Sequence, residues 1–158
     1  GLDLVIDDED EIESTLLSEQ NKNQMEQNQA FRYIDEVCSA MPHRPYKKSI
    51  KVTSSGVKYI ELAFISKIIG EKYGDVINEL EQETGYPITV SDSCNQIEII
   101  NIVKRLMNEK GITSKKNPSI FLDKMSVQVV LAQDIDDSTK EEIKNRFLNL
   151  TGLSLEIK

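Results

Sequence analysis

From Val57 to Phe64 apolar and polar positions alternate, with Ile60, Leu62 and Phe64 on one side, the two-residue period of a strand with one buried face. The period then lengthens. Residues 66–84 read as helical with a glycine break at Gly70-Glu71-Lys72-Tyr73-Gly74, and Ile88 and Val90 mark a strand. A helix is predicted over 94–110, with Ser93 and Gln96 in capping-box spacing and Ile99, Ile100, Val103, Leu106 and Met107 on one face. After a loop, GITSKKNPS, Ser126 to Leu131 alternates as a strand, Ser138 to Leu150 reads as a helix and Leu153 to Ile157 as a closing strand. Upstream, Phe31, Ile34, Val37, Cys38 and Met41 fall at helical spacing, which predicts a helix over 24–41 that packs on its own domain and stops before Pro42.

Displacing the sequence by 67 residues without a gap lays Ile60, Leu62 and Phe64 on Val127, Val129 and Leu131, and Thr84-Gly85 on Thr151-Gly152. Ile88 and Val90 then fall on Leu155 and Ile157. Each half reads strand, helix, Thr-Gly, strand, with the glycine suited to the left-handed residue that ends a helix. The break does not recur: Asp137 and Glu141 stand at the positions of Gly70 and Gly74.

Charge divides the chain differently. The formal net charge is −8, yet residues 1–36 hold eleven acids against Lys22 and Arg32, and residues 37–158 hold sixteen acids against seventeen bases. The acidity belongs to a leader that opens LDLVIDDEDEIE and runs through EQNKNQMEQNQ, too poor in apolar surface to offset its ordering entropy, and is expected to be a disordered linker within a larger protein. The following PHRPYKKSIK, residues 42–51, is expected to be an extended basic arm, its cations around Tyr46 suited to phosphate contact and base stacking. Apolar runs are far shorter than the ~20 residues of a membrane span, so a cytoplasmic protein without membrane contact is expected.

Catalytic material is sparse. Cys38 and Cys94 are far apart and outside any CxxC spacing, and His43 is the only histidine, so no enzyme, cofactor or metal site is expected. Asp134, Asp136, Asp137, Glu141 and Glu142 lack the spacing of a calcium loop and read as acids that favour a helix N-terminus.

The stretch IIG at 68–70 followed by DVINELEQETGYPITV at 75–90 resembles the KH domain, a small α/β module that holds single-stranded RNA or DNA. The resemblance covers about residues 57–110. It implies a glycine loop that brings backbone close to phosphates, and an apolar groove with Ile77 and Ile88 in its floor. Here the loop is one residue longer than the family's GxxG and contains Glu71. The fold expected is α+β, with two strand-helix-strand, KH-like units related by the 67-residue repeat and joined by a helix. Expected divisions are a leader over 1–41, a first unit with its basic arm over 42–112 and a divergent second unit over 113–158. The expected function is non-catalytic binding of single-stranded nucleic acid, RNA above DNA, through Lys47, Lys48, Lys67, Gly70, Lys72, Tyr73 and Gly74, extended by Lys110, Lys115 and Lys116. The alternative is a protein-interaction or assembly domain, built from degenerate KH-like or ferredoxin-like halves, that docks a neighbouring domain or protein.

Overall fold

The computed structural model describes residues 24–158, so the leader expected over 1–41 lies largely outside the described residues. The chain is α+β and separates into two compact units after Asp92, each with its own three-stranded sheet. Two separate sheets exclude a ferredoxin-like arrangement with all strands in one. Among the described residues no helix is long and apolar enough to cross a membrane.

The first unit runs α1 (Gln27–Cys38), β1 (Lys47–Val52), β2 (Lys58–Ala63), α2 (Lys67–Glu71), α3 (Gly74–Thr84) and β3 (Ile88–Val90). Strand β2 is central, antiparallel to β1 and parallel to β3. Its alternation is the predicted one: Ile60, Leu62 and Phe64 are buried in one cluster with Ala30, Ile34 and Cys38 of α1, Ile69 of α2, and Ile77 and Leu80 of α3. Helix α1 therefore belongs to this unit, not to a leader. It starts where the Glu26 carboxylate accepts the Asn28 and Gln29 N–H groups.

Strand β1 corrects the extended-arm reading. Prolines and cations dominate residues 42–51, but Lys47 to Val52 pair with Ala63 to Lys58 as a regular edge strand, because a tight turn returns the chain onto β2. In that turn the Thr53 N–H donates to the Val57 carbonyl and the Val57 N–H to the Thr53 hydroxyl.

The second unit runs α4 (Gln96–Glu109), β4 (Ser119–Phe121), a short 3₁₀ turn (Leu122–Lys124), β5 (Ser126–Val129), α5 (Asp137–Thr151) and β6 (Ser154–Ile157). Helix α4 is thus part of the second unit rather than the end of a first unit over 42–112. It packs on α5 and is tied to it by ion pairs, Glu109 to Arg146 at 2.7 Å and Lys110 to Glu142 at 2.5 Å. Its N-cap is Asn95, whose side chain accepts the Glu98 N–H, so the predicted cap at Ser93 is two residues early. Strand β4 falls partly in the predicted loop and pairs antiparallel with β5.

Both units follow helix, strand, strand, helical crossover, strand, and the parallel pairs keep the 67-residue offset: Ile60 with Ile88 and Leu62 with Val90, then Val127 with Leu155 and Val129 with Ile157. The crossovers end alike. The buried Thr84 hydroxyl donates to the Leu80 carbonyl at 2.7 Å and accepts the Tyr86 N–H; the buried Thr151 hydroxyl donates to Phe147 at 2.8 Å and accepts the Leu153 N–H. Gly85 and Gly152 follow at φ 78° and 77°, and each donates its N–H back to the helix, to Glu81 and Leu148.

A side chain in that left-handed conformation costs roughly 1–2 kcal/mol. Gly85→Ala and Gly152→Ala are each expected to lower unfolding stability by about that amount in urea denaturation, with asparagine at either position costing less.

Candidate nucleic-acid interface

Of the predicted residues, Gly70, Lys72, Tyr73 and Gly74 lie at the break between α2 and α3, and the two glycines there differ. Gly70 is buried in α2. A Cβ there would lie 2.5 Å from Val90 Cγ1 and 2.8 Å from Phe64 Cδ1, so this glycine lets the helix lie against the sheet and is not available to a phosphate. Gly74 differs. It is exposed, opens α3, and a Cβ there would meet nothing within 4 Å.

Tyr73, at the N-cap position of α3, gives no side-chain cap. Its ring instead lies parallel to Phe64 with centroids 5.8 Å apart, and its hydroxyl is 2.6 Å from His43 Nδ1. Tyr73 is therefore a fastening, not a stacking platform for a base. The N–H groups of the first turn, at Gly74, Asp75 and Val76, are left without a capping side chain at the positive end of the helix dipole. Asp75 in that turn favours the same dipole.

His43 is the residue that sequence reasoning passed over. Its contact with Tyr73 carries the segment before β1 to the α2–α3 break. Arg44 beside it and Lys72 in the break are both exposed. No periodicity could have shown a contact across 30 positions.

Three of the other predicted cations, Lys48, Lys67 and Lys110, have carboxylate partners. Lys48 reaches α1, with Nζ 2.6 Å from Asp35 Oδ1 and 5.8 Å from the centre of the Phe31 ring. Lys67 pairs with Asp92 at 2.7 Å. Lys47 is exposed and, by strand alternation, lies on the sheet face opposite Lys48. Lys110, Lys115 and Lys116 belong to the second unit, where Lys110 is held by Glu142.

The groove implied by the KH resemblance is also altered. Ile77 and Ile88 are core members rather than an open floor. At the β3 edge the Ile88 N–H is accepted by the Glu81 carboxylate at 3.0 Å, while the flanking Pro87 carbonyl and Ser91 N–H bond to β2. Glu81 thus occupies a backbone donor of the β3 edge.

Three acids of the cluster around the start of α5, Asp136, Glu141 and Glu142, have structural partners. Asp136 caps the helix by accepting the Thr139 N–H at 2.9 Å, and hydrogen bonding from Thr139 holds its carboxyl below the usual range. Glu142 pairs with Lys110 and Glu141 with Lys144. Among the described residues no group of three or more His, Cys, Asp or Glu is placed to hold a metal ion. Burial, and secondarily Asp35, pushes the Cys38 thiol up, which disfavours a reactive thiolate.

No protein-family model matches this chain, and no curated protein matches it.

The two glycines of the break have opposite expected responses to alanine. Gly70→Ala is expected to destabilise the fold by about 1–3 kcal/mol through overpacking. Gly74→Ala is expected to stabilise it by up to about 1 kcal/mol, since the site is roomy and alanine favours the helix. Paired urea titrations measure both.

Proposed function

We propose that the first unit is a KH-like module that grips the backbone of single-stranded nucleic acid, RNA above DNA, at the break between α2 and α3. One observation carries this reading: the His43–Tyr73 contact brings the segment bearing Arg44 to a helix start whose N–H groups lack a cap and whose first residue is an open glycine. A phosphate would accept from the Gly74 and Asp75 N–H groups, with Lys72 and Arg44 adding charge. Glu71 and Asp75 oppose an anion, so affinity rests on close backbone approach more than on net charge. With the Ile88 N–H already taken by Glu81, contacts to phosphate outweigh reading of bases, and sequence preference is weak.

The residues proposed to act are accordingly Arg44, Lys72 and the backbone at Gly74, with Lys47 as a flanking charge. Lys48, Lys67, Gly70 and Tyr73 support the site from within the fold.

The test is binding of labelled oligouridine and oligothymidine by the full chain across a salt series. Arg44→Ala and Lys72→Ala are each expected to weaken binding and to reduce the salt slope by about 1. Lys67→Ala is expected to leave that slope unchanged. Gly74→Ala, neutral or favourable for the fold, is expected to weaken binding by crowding the phosphate. Absence of binding at low salt, or binding indifferent to both cations, sinks the proposal and leaves the assembly-domain alternative.

A further inference from the structure

The second unit leaves open a groove that the first unit fills with its own side chains. Buried Ala30, Ile34 and Cys38 of α1 have the same spacing as Ile99, Val103 and Met107 of α4. Ile50 of β1 pairs with Ile60, and Ile120 of β4 with Val127, the counterpart of Ile60 at the 67-residue offset. Counting from these anchors, Phe31, Asp35 and Lys48 of the first unit stand where Ile100, Lys104 and Pro118 stand in the second.

In the first unit the gap between helix and edge strand is closed from inside. Lys48 leaves the strand, crosses the Phe31 ring and reaches Asp35. In the second unit Pro118 has no cation to extend, and Lys104 replaces the carboxylate that would receive one. What remains is a depression of about 450 Å³ lined by Gln96, Ile97, Ile100, Asn101, Pro118 and Ile120. Ile97 on its wall is 77% exposed, a large apolar surface for one residue to leave in water.

Further along the same face of α4, Lys104 and Asn108 line a smaller depression of about 220 Å³ with Thr113 and Ser114 on the facing segment. Between the two hollows the facing segment carries Lys115 and Lys116, both exposed. Among the described residues Lys104, Lys115 and Lys116 have no ion pair, whereas Lys110, one helical turn and a half beyond Lys104, has Glu142. The groove is apolar at one end and cationic at the other.

We propose that this groove docks a peptide segment of a partner protein that carries apolar residues beside carboxylates. The apolar side chains seat on Ile97, Ile100 and Ile120, and a carboxylate pairs with Lys104. The contact reproduces, with the signs exchanged, the Lys48–Asp35 closure of the first unit. It is independent of nucleic-acid binding at the α2–α3 break, and failure of either leaves the other standing.

Panning the full chain against a random peptide display library tests this. The expected result is enrichment of peptides with carboxylates next to apolar residues. A synthesised winner should bind the full chain and lose about tenfold or more in affinity with Ile97→Asp and with Lys104→Glu, both exposed positions whose change leaves the thermal melt unaltered. The double change Lys104→Asp with Pro118→Lys, which installs the first unit's own closure, should likewise abolish binding. No enrichment, enriched peptides without acids, or binding that survives Lys104→Glu overturns the proposal. A concentration-dependent dimer in sedimentation that Ile97→Asp dissolves also overturns it, by assigning the groove to a second copy. Binding of oligouridine by the full chain that competes with the peptide and is itself weakened by Lys104→Glu does so too, by assigning the lysines to nucleic acid.

Discussion

Each unit depends on one constraint: two parallel strands side by side must be joined by a crossover that climbs back over the sheet and turns sharply into register. The sharp turn is a buried threonine followed by a left-handed glycine. The threonine hydroxyl donates up into the helix and accepts an N–H from the link to the next strand, that of Tyr86 or Leu153, so the last helical turn and that link share one oxygen. Without that oxygen a buried N–H would go unpaired, a cost of about 1–3 kcal/mol. In the first unit the same corner also anchors the start of the described chain, because the Met25 N–H donates to the Thr84 carbonyl and the Tyr86 hydroxyl to the Met25 carbonyl.

That constraint was visible in the sequence because it is local. Thr-Gly followed by two alternating apolar residues is a short-range signal, as is the alternation of Ile60, Leu62 and Phe64. Strand β1 was hidden because its pairing is tertiary: Lys47, Lys48 and Lys51 look like an arm until β2 is beside them. The candidate site was legible as a place and not as a set of roles. Two glycines four residues apart look equivalent in a sequence, yet only the neighbouring Val90 and Phe64 distinguish the packed Gly70 from the open Gly74. Similarly, nothing in the charges of Lys48 and Lys67 announces that Asp35 and Asp92 meet them.

The two crossovers answer the same demand by different means. In the second unit α5 is one uninterrupted helix whose start is capped by Asp136. In the first unit the crossover is broken at Lys72–Tyr73, and the second piece begins without a cap. The break gives up helical hydrogen bonds and a cap, a loss partly offset by stacking of Tyr73 on Phe64 and its contact with His43. Conversely, the first unit closes its helix–strand groove with a lysine and the second does not. Each unit has one stretch where the chain's own groups leave a surface unfilled, and the stretch differs between them.

Strand β1 is an edge, and its lysines bear on more than ligands. An edge strand presents unpaired backbone groups to any other extended chain, and charged side chains along it discourage such pairing. Exposed Lys47 and Lys51 flank that edge next to half-bare Val52, 57% exposed. Neutralising them removes a barrier to strand addition between molecules, so turbidity and loss of monomer would accompany any change in anion affinity. The basic character of this segment therefore also disfavours pairing of the β1 edge with another chain, whether or not a ligand is present.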